Sequence, residues 1–131
     1  MTVRKARTAC DHAALEKTFS QADFDAFARL SGDNNPIHVD PEFSARTRFG
    51  STVAHGALLC SVLRGLVEMI MPGGRQLSQK TQYPAPSPAG ELLRFEAETV
   101  GETGLGIMIA LKVTRLSDGV VTCTGETEVA I

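Results

Sequence analysis

Apolar positions near the start of the chain recur at helical spacing and then stop abruptly. Phe24, Phe27 and Ala28 follow Ser20, which suits a helix N-cap with Asp23 as its capping-box partner. Gly32 ends that element. A second start signal comes soon after: Asp40 suits an N-cap, Pro41 the first helical position and Glu42 the positive end of the helix dipole. This short helix is expected to end near Gly50. A third helix begins around Gly56, is apolar on most faces, and is stopped by Pro72, Gly73 and Gly74. Such a helix is expected to be wrapped by other structure on nearly every side.

The period then changes to that of strands. Residues 76–83, 91–100, 105–116 and 120–131 read as strands, with a proline-rich crossing (PAPSPAG) between the first two and an entry strand over residues 10–19. Ile107, Ile109, Leu111 and Val113 alternate, and Asp118-Gly119 is a two-residue hairpin signal. Helices followed by a run of antiparallel strands predict an α+β fold, one long buried helix against a curved sheet.

Composition narrows the class. With 131 residues and 43% hydrophobic content, residues 1–131 are expected to form one domain with a real core. Net charge is −2 and the basic residues are dispersed, so nucleic acid is not an expected partner. The most apolar stretch, residues 53–71, carries His55, Ser61, Arg64 and Glu68 and is not expected to span a membrane. The basic start MTVRKAR lacks the apolar run and cleavage site of a secretory signal. Three widely spaced cysteines form neither a disulfide framework nor a zinc pattern and fit a reducing, cytoplasmic location. His12, His38 and His55 have no ligand spacing, so no metal site is expected.

The richest segment runs over residues 27–44, FARLSGDNNPIHVDPEFS. In an unbroken helix the step from Asp33 to His38 would turn one side chain about 140° from the other. Gly32 and Pro36 break that helix, and Pro36 pushes Asn35 towards extended geometry. A carboxylate and an imidazole are thereby bent around one short segment, where they can grip a water or a substrate proton from two sides. The plainer readings are that Asp33 is a turn former and His38 a structural histidine bonded to a backbone carbonyl.

The run F-x-x-L-S-G-D-x-N-P-I-H, with Ser44 six positions after His38, resembles the signature of the MaoC-like dehydratases, the (R)-specific enoyl-CoA hydratases. GSTVAHGAL, residues 50–58, resembles the segment opening the central helix of that family, and Pro86 and Ala89-Gly90-Glu91 fall where the family carries a proline and a valine-glycine-aspartate turn. The resemblance covers nearly the whole chain. It implies a single hot-dog domain, a long helix wrapped by an antiparallel sheet, and pairing into a homodimer or higher homo-oligomer. The implied reaction is hydration of a trans-2-enoyl-CoA to the (R)-3-hydroxyacyl-CoA, or the reverse, with Asp33 and His38 catalytic. The implied substrate is an acyl-CoA or acyl-carrier thioester, with no separate cofactor.

The resemblance also makes the amide of Gly56 the donor to the thioester oxygen, where residue chemistry alone allows mere close packing. Asn35, His55, Ala57, Ser61 and Arg64 complete the expected substrate-binding set. Asn35 also suits a loop-shaping role and His55 a structural one. Ser61, Arg64 and Glu68 form a polar stripe on an otherwise apolar helix. Arg64 stands where well-known hydratases carry a serine. It either pairs with Glu68 or reaches the acyl pocket to recognise a carboxylate or other polar group. Arg46 and Arg48 are surface residues or phosphate contacts. Two rival functions share this fold: a thioesterase, and a non-catalytic acyl-thioester-binding subunit whose tunnel Arg64 blocks.

Overall fold

A computed structural model describes residues 8–130; the basic run 1–7 and Ile131 lie outside the described residues. The elements are β1 (His12–Thr18), α1 (Gln21–Ser31), α2 (Pro36–Val39), α3 (Pro41–Ala45), α4 (Gly56–Ile70), β2 (Arg75–Gln82), β3 (Leu92–Glu102), β4 (Gly106–Arg115) and β5 (Val120–Ala130). The five strands form one antiparallel sheet in the order β1-β3-β4-β5-β2. Leu59, Leu63, Leu66, Val67 and Ile70 of α4 are buried against its concave face, where Leu93, Phe95, Ile109, Leu111 and Val113 meet them. This is the α+β arrangement that the change of period predicts.

The local signals hold where they act over a few residues. Asp23 N–H donates to Ser20 Oγ at 3.2 Å while Ser20 N–H donates to Asp23 Oδ2 at 2.8 Å, a complete capping box. Gly32 ends α1 with φ +82°, the left-handed value that favours glycine. Ile107, Ile109, Leu111 and Val113 all point inward.

Three expectations need correction. The helix starting at Pro41 stops at Ala45, short of Gly50, because the Thr47 hydroxyl takes the Ser44 carbonyl at 2.7 Å and the chain turns there. The hairpin between β4 and β5 has four connecting residues, 116–119, and not two. Its Gly119 N–H reaches back to the Arg115 carbonyl at 2.7 Å, and Asp118 is held by the Arg115 guanidinium. Finally, α4 is not wrapped on nearly every side. Ala57, Ser61, Gly65, Glu68 and Met69 are exposed, because one five-stranded sheet covers only one face of a helix.

Candidate active site

The loop leaving α1 at Ser31 and the start of α4 at Gly56 build the site. Asn35, at φ −54° and ψ 128°, caps α2: its Oδ1 accepts from Ile37 N–H at 3.1 Å, with Pro36 at the first helical position. The segment that carries His38 is therefore a short helical turn, not a plain loop. The Asn35 N–H donates to Asp33 Oδ1 at 3.2 Å, which leaves Oδ2 facing His38. His38 Nε2 lies 3.9 Å from Asp33 Oδ2. The other ring nitrogen, Nδ1, is 2.8 Å from the Val53 carbonyl, so it carries the proton and Nε2 presents its lone pair to the carboxylate.

His55 is the hub of this arrangement. It is 2% exposed. Its ring stacks on His38 with centroids 3.9 Å apart, and Phe27 meets it edge-on at 4.9 Å. His55 Nε2 donates to the Asp33 carbonyl at 3.1 Å, while Nδ1 has no hydrogen-bond partner among the described residues. A proton on Nδ1 would be a buried charge without an acceptor. Burial accordingly pushes the imidazole below its usual 6.5, and proximity to His38 acts in the same direction.

Asp33, His38 and His55 each offer one ligand atom within 4.8 Å of the others. One nitrogen of each ring is committed to a carbonyl, and the ring planes lie 22° from parallel. Convergence on a metal ion is disfavoured by that stacking.

Three further residues hold the site. Gln21 donates to the His38 carbonyl at 2.9 Å and accepts from Thr52 Oγ1 at 2.6 Å, which ties α1 to α2 and to the strand-like approach to α4. Ser44, fully buried, donates to the Pro36 and Ile37 carbonyls at 3.2 Å. Ser44 stands in the first recognised motif and Thr52 in the block over residues 50–58; Gln21 has no local pattern that marks it.

At the start of α4 the His55 carbonyl accepts from Leu58 and Leu59, whereas the Gly56 and Ala57 amides meet no acceptor among the described residues. Free amides and a positive dipole end make this a place for a developing oxyanion. The absence of a side chain at Gly56 has a second cause. A Cβ there would come within 2.6 Å of Tyr83 Cζ. Tyr83, the chain's single tyrosine, directly follows edge strand β2 and was missed as a site residue. Its ring, with Gly56, Leu59, Arg48 and Phe49, lines a cavity of about 480 Å³. Val53 and Ala54 also line this cavity, and Asp33 and His38 do not.

The remaining expected residues lie elsewhere on α4. Ser61 is exposed and donates to the Leu58 carbonyl at 2.7 Å. Arg64, about 12 Å along the helix from Gly56, donates from Nη2 to the Gly74 carbonyl at 3.2 Å and lies 3.7 Å from Glu68. Its Nη1 is buried without an acceptor among the described residues. Arg64 therefore does not converge with Asp33, His38 and Gly56 within this chain. Arg46 pairs with Glu42 at 3.7 Å on the surface, and Arg48 lies over the Phe49 ring. His12 is a surface residue 3.7 Å from Glu96.

Comparison with known proteins bears on the family and the fold. Residues 5–124 match the sequence profile described as the MaoC-like domain. An (R)-specific enoyl-CoA hydratase of Aeromonas caviae is 40% identical over 88 residues, 66% of each chain. A 3-hydroxyacyl-thioester dehydratase Z of Mycobacterium tuberculosis is 37% identical over 95 residues, 68% of this chain and 63% of that protein. The matched region thus spans about two thirds or less of these curated relatives. Among solved structures, an (R)-hydratase from A. caviae superposes with a TM-score of 0.85 at 31% identity, covering 92% of this chain and 93% of the other.

Proposed function

We propose that this chain, which belongs to the MaoC-like domain family, catalyses reversible syn hydration of a trans-2-enoyl thioester to the (R)-3-hydroxyacyl thioester. The observation that carries the reading is the pair of acceptors facing each other, Asp33 Oδ2 and His38 Nε2, 3.9 Å apart. That gap is too long for a direct hydrogen bond and short enough for one water to donate a hydrogen to each. Such a water keeps an oxygen lone pair free for attack.

Conjugation makes C3 of the enoyl thioester electrophilic. The water oxygen bonds to C3 as Asp33 takes its proton, and the π pair of C2=C3 moves into the enolate. Charge collects on the thioester oxygen, where the Gly56 N–H donates. One such donor is typically worth about 2.7–4 kcal/mol. Because the Nδ1 proton of His38 is tied to Val53, the proton gained by Asp33 is the one available to C2, on the face that the water entered. Addition is therefore syn. Asn35, through its N–H, orients the carboxylate, and His55 sets the ring plane of His38.

The substrate is an acyl-CoA or acyl-carrier thioester, and no separate cofactor is required. Ala57 adds a second free amide beside Gly56, and Ser61 continues the same face of α4. Arg48 lines the cavity, which supports a contact with the phosphates of the carrier. The buried, unpartnered Nη1 of Arg64 supports recognition of a polar group on the acyl chain. The exposed face of α4 and the exposed edge strand β2 support assembly into a homodimer or higher homo-oligomer, with a second copy covering both. The free cysteines suit a reducing, cytoplasmic location, and no helix among the described residues is long and apolar enough to cross a membrane.

The test follows crotonyl-CoA by its enoyl absorbance with wild type and Asp33→Asn side by side. Wild-type loss of signal with the (R)-alcohol as product, and a fall of about 10²–10⁴-fold in the variant, is expected. Release of free coenzyme A from saturated acyl thioesters would instead assign a thioesterase, and tight binding without turnover a binding subunit.

A further inference from the structure

Thr122 breaks the alternation of β5. It and its chain neighbour Cys123 are both fully buried, although adjacent side chains of a regular strand point to opposite faces. The register gives the reason. Val113 pairs with Cys123 and Thr114 with Val121, so Thr122 is the extra residue of a β-bulge. A bulge re-aims the side chain that it carries. Here Thr122 becomes part of the wall of the cavity beside Gly56.

Ser87 enters the same wall from the proline-rich crossing. That crossing is held in place: the Ser87 carbonyl accepts from Ala54 N–H at 2.9 Å, Pro88 bridges to Val53, and the Pro86 carbonyl accepts from the Arg115 guanidinium. Pro84, Pro86 and Pro88 have no backbone N–H, which leaves this wall poor in backbone donors. Ser87 is 3% exposed and Thr122 fully buried, yet neither hydroxyl has a hydrogen-bond partner among the described residues. Buried hydroxyls are nearly always bonded, and an apolar side chain of the same shape would avoid the cost of leaving one unpaired. The Tyr83 hydroxyl, by contrast, is already engaged with Cys60 and Thr81. Two orphaned hydroxyls on one cavity point to a ligand that supplies their partners.

The direction of the substrate says which part arrives there. Its C2 and C3 belong at Asp33 and His38, which do not line the cavity, whereas Gly56, the donor to the thioester oxygen, does. The acyl chain therefore leads away from the cavity, and the sulfur side of the thioester leads into it. On that side CoA and acyl-carrier substrates share one phosphopantetheine arm: two secondary amides, then a hydroxyl, then a phosphate. Each amide offers a carbonyl acceptor and an N–H donor, and a serine or threonine hydroxyl can pair with either. Arg48 lines the same cavity and suits the anionic end of the arm.

We propose that Ser87 and Thr122 recognise the phosphopantetheine arm, each bonding one of its amides after rotation about χ1. The assignment rests on the thioester reading above. Bonds of this kind hold the arm whatever acyl group follows, and so bring the thioester oxygen to the Gly56 amide.

The experiment measures binding by calorimetry to wild type, Ser87→Ala and Thr122→Val. The ligands are butyryl-CoA, which has no double bond to hydrate, and a butyryl-phosphopantetheinyl carrier protein. Whichever ligand wild type binds more tightly names the carrier. Each substitution should weaken both ligands by a similar factor, about tenfold. Thermal midpoints should hold or rise, because a buried, unpaired hydroxyl has been removed. Thr122→Ser, which keeps the hydroxyl, should bind as wild type does. Unchanged affinity in either variant, a loss for one carrier form alone, or no binding of either form by wild type would overturn the assignment. If wild type fails to consume crotonyl-CoA while these losses in binding persist, the hydratase reading falls and the site for the arm stands.

Discussion

The imidazoles of His38 and His55 stack with centroids 3.9 Å apart and planes 22° from parallel. Each ring is oriented by a backbone carbonyl: His38 by Val53, and His55 by Asp33. One histidine faces the proposed water while the other, sealed beneath it, holds the loop from which Asp33 projects. A second positive charge directly under His38 would raise the energy of any protonated state above it. Burial keeps His55 neutral and avoids that conflict.

His55 makes stability depend on pH in a defined direction. Its imidazole titrates below 6.5 in the folded chain and near 6.5 when unfolded. Between those values the unfolded chain binds the extra proton, so the contribution is complete above about pH 6.5 and is lost as pH falls towards the folded value. Wild type should lose thermal stability from pH 7 to pH 5, and His55→Phe should lose less over that range. An identical slope in the two proteins would remove His55 as the titrating group.

Gly56→Ala tests the fit between α4 and Tyr83. The new methyl would meet the tyrosine ring at 2.6 Å. Overpacking of that kind typically costs about 1–3 kcal/mol. Hydration should fall by about 10²-fold if the amide loses its approach to the thioester oxygen. Adding Tyr83→Ala, which removes a half-exposed ring, should restore stability. A double variant no more stable than Gly56→Ala alone would show that another contact is responsible.

Arg64→Ser separates a helix-end clasp from substrate recognition. Loss of the Gly74 and Glu68 contacts should lower stability by about 0.5–1.5 kcal/mol. If Nη1 serves an acidic acyl tail, turnover of an enoyl thioester bearing a carboxylate should drop by about tenfold or more relative to crotonyl-CoA. An unchanged ratio with lowered stability would leave Arg64 the clasp role alone.

Arg115 joins the β4–β5 turn to the proline-rich crossing. Its Nη2 donates to Asp118 Oδ2 at 2.7 Å and its Nη1 to the Pro86 carbonyl at 2.8 Å. The guanidinium holds the Asp118 carboxyl below its ordinary 3.8. The resulting stability is present above that value and is lost as pH falls through the lowered one. Asp118→Asn should flatten the acid limb of a stability profile, and Arg115→Ala should also loosen the cavity wall around Pro86. Equal acid sensitivity of Asp118→Asn and wild type would exclude this pair.

Much of the frame could be read one residue at a time. Ser20 and Asp23 cap α1, Gly32 stops it, and Pro36 with Asn35 sets the turn that lifts His38; each device acts within three or four residues, so the chain states it locally. The alternation of Ile107, Ile109, Leu111 and Val113 likewise announces an inward face, because side chains of a strand point to opposite sides in turn. The same locality explains the misses. The helix from Pro41 and the Asp118-Gly119 turn carry the right starting residues, yet Thr47 and Arg115 supply competing hydrogen bonds that no propensity records.

Chain order was enough for the class of fold and for the acid and the imidazole of the proposed chemistry, because both rest on short-range sterics and on a motif of adjacent residues. Only tertiary structure put His55 beneath His38, Tyr83 over Gly56, Arg64 against Gly74 and the Cys60 sulfur beside the Tyr83 hydroxyl. Those neighbours are chosen by the order of the strands and by the face of α4 that the sheet covers. Contacts between distant residues depend on how the whole core packs, and no local pattern contains that information.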